Sequence, residues 1–71
     1  MDNTEIRECR MADYYWKEKM GILNIITKLN QQSESPDKNK YLISYREEYE
    51  YLNARFHENM DICRLLNGKN L

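Results

Sequence analysis

Gln32-Ser33-Glu34-Ser35-Pro36-Asp37 is the stretch that decides the fold. Apolar residues recur every three or four positions on both sides of it, and it contains no aliphatic or aromatic side chain apart from the proline ring. Proline disfavours helical geometry in the residue before it and suits the first position of a new helix. Ser35 is therefore the expected N-cap of a helix opening at Pro36, with Asp37 in its positive first turn.

Downstream, Leu42, Tyr45, Tyr49, Leu52, Phe56, Asn59, Cys63 and Leu66 alternate steps of three and four, the spacing of coiled-coil a and d positions. Asn59 is the one polar member and is expected to fix register or to pack near solvent. Asn67-Gly68 offers a stop, because glycine readily takes the left-handed conformation that ends helices. Upstream, Ile6, Cys9, Ala12, Trp16, Met20, Leu23 and Ile26 recur at similar steps, and Asp2 with Glu5 resembles a capping arrangement.

The expected fold is all-α: an antiparallel two-helix hairpin, with long helices over about 3–31 and 36–67 and residues 1–71 forming a single domain. The two helices are expected to match in length, at roughly 45 Å each.

Each helix also carries a second apolar arc when projected at roughly 100° per residue. On the first it comprises Met11, Tyr15, Ile22 and Leu29, rimmed by Tyr14 and Ile25; on the second, Ile43, Tyr51, Ala54, Ile62 and Leu65. A lone hairpin has no third layer to cover such arcs. Pairing of hairpins into a two-fold, four-helix bundle is the simplest remedy, and another protein would serve equally. The outline resembles that of the Rop-type plasmid RNA-binding bundles, with no motif in common.

Composition narrows the function classes. Eleven basic and 12 acidic residues are mixed along 71 positions, for a formal charge of −1, so no long-range field favours nucleic acid or an anionic membrane. No apolar run approaches a bilayer span, and Met1–Glu5 lacks the basic and apolar segments of a signal peptide. A soluble, cytoplasmic protein is expected. Asn, Lys, Ile and Tyr have AT-rich codons, a bias of low-GC bacterial, phage or mobile-element genes.

Cys9 and Cys63 are too few for a disulfide scaffold, so free thiols are expected. Counting outward from the turn sets Cys9 opposite about residue 58, some 7 Å along the axis from Cys63, which argues against an intrachain bridge. With His57 they are the only soft ligands, and without a closely spaced pair no metal site is expected. His57 and Asp61, one turn apart, suggest an exposed ion pair rather than a catalytic one. Arg46 and Glu50 should pair similarly.

No nucleophile or phosphate-cradling turn is evident, so neither enzyme activity nor a cofactor is expected. Trp16, Tyr45 and Tyr49 are assigned to the core. Met11, Tyr14, Tyr15, Ile25 and Tyr51 are the candidate partner-binding residues. The leading expectation is a small non-catalytic interaction protein, a regulator, adaptor or inhibitor that self-associates and binds another protein. The alternative is a nucleic-acid-binding bundle that uses Lys38 and Lys40 near the turn, or Arg7, Arg10 and Lys17.

Overall fold

The computed structural model describes residues 6–68 as a helical hairpin measuring 52 × 14 × 14 Å. Helix α1 spans Arg7–Asn30 and helix α2 spans Pro36–Gly68, packed antiparallel with no strand among the described residues.

The turn is built as its chemistry requires. Ser35 Oγ accepts the Lys38 amide at 3.1 Å and the Ser35 carbonyl accepts the Asn39 amide, so the side chain satisfies one amide at the helix start that has no partner within the helix. Ser35→Ala is expected to cost about 1 kcal/mol, readable as a lower urea midpoint with unchanged slope. At the other side of the turn, Gln31 and Gln32 amides bond the carbonyls of Lys28 and Leu29, tightening the last turn of α1.

The helices are unequal, with 24 residues in α1 and 33 in α2. Ile6 is extended (φ −85°, ψ 118°), so α1 opens at Arg7 rather than near residue 3, and the Ile6 carbonyl receives the amides of Cys9 and Arg10. The Asp2 and Glu5 capping arrangement lies outside the described residues. At the far end Gly68 is the last residue of α2, and no described glycine has a positive φ.

The seam of α2 follows its heptad spacing. Leu42 and Cys63 are buried, and Tyr45, Tyr49, Leu52, Phe56, Asn59 and Leu66 are half-buried. The seam of α1 differs from the expected one. Glu8, Ala12, Tyr15, Lys19, Ile22, Ile26 and Leu29 are its buried or half-buried residues at alternating steps of four and three, whereas Trp16, Met20 and Leu23 are exposed. The face toward α2 lies between the two arcs: Ala12 and Ile26 come from the expected main one, Tyr15, Ile22 and Leu29 from the second.

Lys19 lies at the centre of this rotated seam. Its Nζ donates to Asn53 Oδ1 at 2.8 Å and stands 4.6 Å from the centre of the Phe56 ring. A lysine whose methylenes cover apolar surface while its head finds an acceptor and an aromatic face is compatible with a seam. Asn59 does not set the register: its Nδ2 bonds back to the Arg55 carbonyl in its own helix.

Among the described residues no large side chain is fully buried. The core is a line of small and medium residues, Ile6, Ala12, Ile26, Leu42 and Cys63, with Ala12 only 2% exposed. Two layers of helix leave no room for more.

Candidate interaction surfaces and the Cys9–Cys63 bridge

Cys9 and Cys63 are joined by a disulfide, with their Cα atoms 4.8 Å apart. This overturns both the free thiols and the offset register expected from the sequence. Counting outward from the turn assumed equal rise on both sides. Residues 31–35 are not helical, and the buried Lys38 ties this linker against α2 by donating from Nζ to the Gln32 carbonyl at 2.8 Å and Glu34 Oε1 at 3.0 Å. The linker thus uses axial length beside the first turns of α2, and Cys9 meets residue 63 rather than 58. The Lys19–Asn53 pair keeps this register, ten residues along each helix from the bridge.

Lys38 had been a candidate phosphate contact. At 6% exposure, with its ammonium committed to the linker, it presents no free charge to a polyanion. Lys17 is engaged by Asp13 at 3.0 Å, although both side chains are open to solvent.

Two faces flank the seam. On one side Trp16, 47% exposed, lines a cleft of about 350 Å³ together with Cys9, Ala12, Asp13, Phe56, Met60 and Cys63. Met20 and Leu23 extend this face along α1 toward the linker, because steps of four and three return to the same side of a helix.

The other side holds the partner-binding candidates. Tyr14 and Tyr15 meet edge to face at 5.3 Å between ring centres. Arg55 stands by Tyr15 and Tyr51 and pairs with Glu58 at 3.3 Å; Tyr15 first, then Tyr51 and Glu58, hold the guanidinium above its ordinary pKa. Residues from both helices therefore converge on this side around Arg55. Tyr51 is 59% exposed, Tyr14 and Ile25 are exposed, and Met11 and Tyr15 are half-buried. The helical projection puts Met11, Tyr14 and Ile25 on this side of α1.

Among the described residues no group of three His, Cys, Asp or Glu is placed to hold a metal, and no helix is long and apolar enough to cross a membrane. His57 is exposed, with its ring edge to face against Phe56 at 5.2 Å. Neither His57 with Asp61 nor Arg46 with Glu50 forms an ion pair; those found among the described residues are Lys17–Asp13, Lys38–Glu34 and Arg55–Glu58. Comparison with protein families, curated proteins and solved structures finds no match.

Sequence reasoning placed Ala12 and Ile26 in the α1 seam but missed the rest of it, and it missed the bridge. The signal for the first was present: Glu8, Ala12, Tyr15, Lys19, Ile22, Ile26 and Leu29 keep heptad spacing once a lysine is admitted to it.

Proposed function

We propose that this chain is a non-catalytic protein-interaction module that pairs with a second copy through its Trp16 face and presents its tyrosine face to another protein. The observation that carries this reading is the exposure of large apolar side chains on both sides of the seam: Trp16, Met20 and Leu23 on one, Tyr14, Ile25 and Tyr51 on the other. A monomer would leave both in water, and contiguous apolar surface of this kind ordinarily marks an interface.

The faces differ in chemistry, which supports a different partner for each. Trp16, Met20, Leu23, Phe56 and Met60 make a mainly apolar strip edged by Asp13, a composition close to that of permanent homodimer interfaces. A two-fold axis across it would create a four-helix bundle. Tyr14, Tyr15, Tyr51 and Arg55 supply hydroxyls and a guanidinium beside aromatic area, the composition of hot spots at interfaces between different proteins.

Sedimentation at micromolar concentration is expected to give a dimer. Leu23→Arg would set two arginines against the two-fold interface and raise the dimer dissociation constant about 100-fold. Tyr51→Ala should leave the dimer intact. A wild-type monomer, or a Leu23→Arg variant that dimerises as well as wild type, would reject the assignment.

A further inference from the structure

We propose that Cys9 and Cys63 form a thiol–disulfide switch, in which the bridge holds the Trp16 cleft in shape and reduction to two thiols opens it. The control of pairing that follows rests on the self-association reading above; the switch itself rests on the geometry of this end of the hairpin.

Cys9 is the third residue of α1, at the end of the molecule opposite the linker. Beyond the Asn67 amide at the bridge itself, the polar ties between the helices are Tyr15 with Arg55 and then Lys19 with Asn53, the latter ten residues away, roughly 15 Å along the axis. Between the bridge and Lys19 the one buried side chain of α1 is the single methyl of Ala12, with Met11 and Tyr15 half-buried, and Ile6 is buried just beyond the bridge. The apolar packing that remains here once the bridge is cut is therefore thin. Both sulfur-bearing residues line the cleft with Trp16, Phe56 and Met60, so a change at the bridge is a change in its wall.

The bridge can also be re-made. Facing Cα atoms 4.8 Å apart, on helices of about 2.3 Å Cα radius, place the axes at an ordinary packing distance, so closing the bridge requires no approach of the helices.

The two sulfurs differ in access. Cys63 is buried and Cys9 half-buried, which directs an incoming thiolate to Cys9 Sγ with Cys63 as the leaving group. A dithiol reductant supplies the electrons. Its first thiolate forms a mixed disulfide with Cys9, and Cys63 departs as a thiolate and takes a proton. The second thiolate then attacks the reductant's own sulfur in that mixed disulfide, releasing Cys9 as a thiolate that is protonated, while the reductant leaves as a cyclic disulfide. Asn67 Nδ2 lies 3.7 Å from Cys63 Sγ and 3.8 Å from Cys9 Sγ, placed to donate to whichever sulfur carries the charge. In a chain with only these two cysteines, such a bridge fits a reversible sensor as well as a staple.

The test uses dithiothreitol on the whole chain at low temperature, with thiol titration, acrylamide quenching of Trp16 fluorescence, circular dichroism and sedimentation on each form. Trp16 is the only tryptophan, so the quenching reads the cleft. Reduction should expose two thiols, raise the quenching constant about twofold while most helix is retained, and raise the dimer dissociation constant at least about tenfold. The Cys9→Ala/Cys63→Ala variant should show the reduced values without reductant. Two free thiols in air-equilibrated protein, unchanged quenching after reduction, or loss of all helix would each overturn the switch. Equal pairing in both forms would overturn its control of association and leave the dimer standing. A monomer in both forms whose quenching still responds would reject the dimer and support the switch.

Discussion

The reduced protein is expected to melt about 20 °C below the oxidised form. The bridge joins residues 54 apart, and closing a loop of that length removes chain entropy from the unfolded state worth about 4 kcal/mol. A domain of this size has a total stability of order 4–10 kcal/mol, so one covalent link supplies a large fraction of it. The hairpin depends on it because no large side chain among the described residues is fully buried and one line of seam residues does the packing. The measurement is thermal melting followed by circular dichroism, at matched protein concentration because any self-association also moves the midpoint. A shift under about 5 °C would mean that the seam alone holds the open end closed, contrary to the sparse packing around Ala12.

That dependence was not legible in the sequence, and the reason is physical. Helical segments advance by a fixed rise per residue, whereas the five linker residues do not. Their path is set by Lys38, whose ammonium reaches back to Gln32 and Glu34. The pairing of Cys9 with Cys63 thus follows from a tertiary contact of one lysine that reads, in the sequence, as ordinary surface charge. Ser35 and Pro36 were legible because capping and proline sterics act within four residues.

The two helices divide in the same way. In α2 the heptad arc is unbroken over three heptads and its second arc, with Ile43, Tyr51, Ile62 and Leu65, stays exposed, so periodicity finds the buried face. In α1 two adjacent arcs are both apolar, and the face toward α2 falls between them, burying Ala12 and Ile26 of the first with Lys19 and leaving Trp16 outside. A small residue there lets the helices approach, and a tryptophan would hold them apart. Of the candidate surface, the exposure of Tyr14, Ile25 and Tyr51 was readable from projection, but the meeting of Tyr15 and Tyr51 at Arg55 depends on which face is turned inward.

Lys19 and Asn53 give the second large effect, and here the sign changes between single and double substitution. Lys19→Leu removes the donor to Asn53 Oδ1 and the cation over Phe56, leaving a part-buried amide without its partner, at a cost of about 2–3 kcal/mol. Asn53→Leu leaves the ammonium part-buried against apolar groups and should cost a similar amount. Replacing both by leucine removes each unsatisfied group together and adds apolar area to the seam, so the double variant is expected to match or exceed wild type in a urea titration. What it loses is registration. A polar pair within an apolar seam penalises alternatives in which either group faces a hydrocarbon neighbour. With leucines there, a hairpin reoxidised from the reduced state should form less of the Cys9–Cys63 bridge and more bridges between chains, visible by non-reducing electrophoresis. If Lys19→Leu alone proved as stable as wild type, the pair would be a surface contact with no part in the seam. If the double variant reoxidised as faithfully as wild type, register would be set from the ends, by the Lys38-held linker, rather than from this layer.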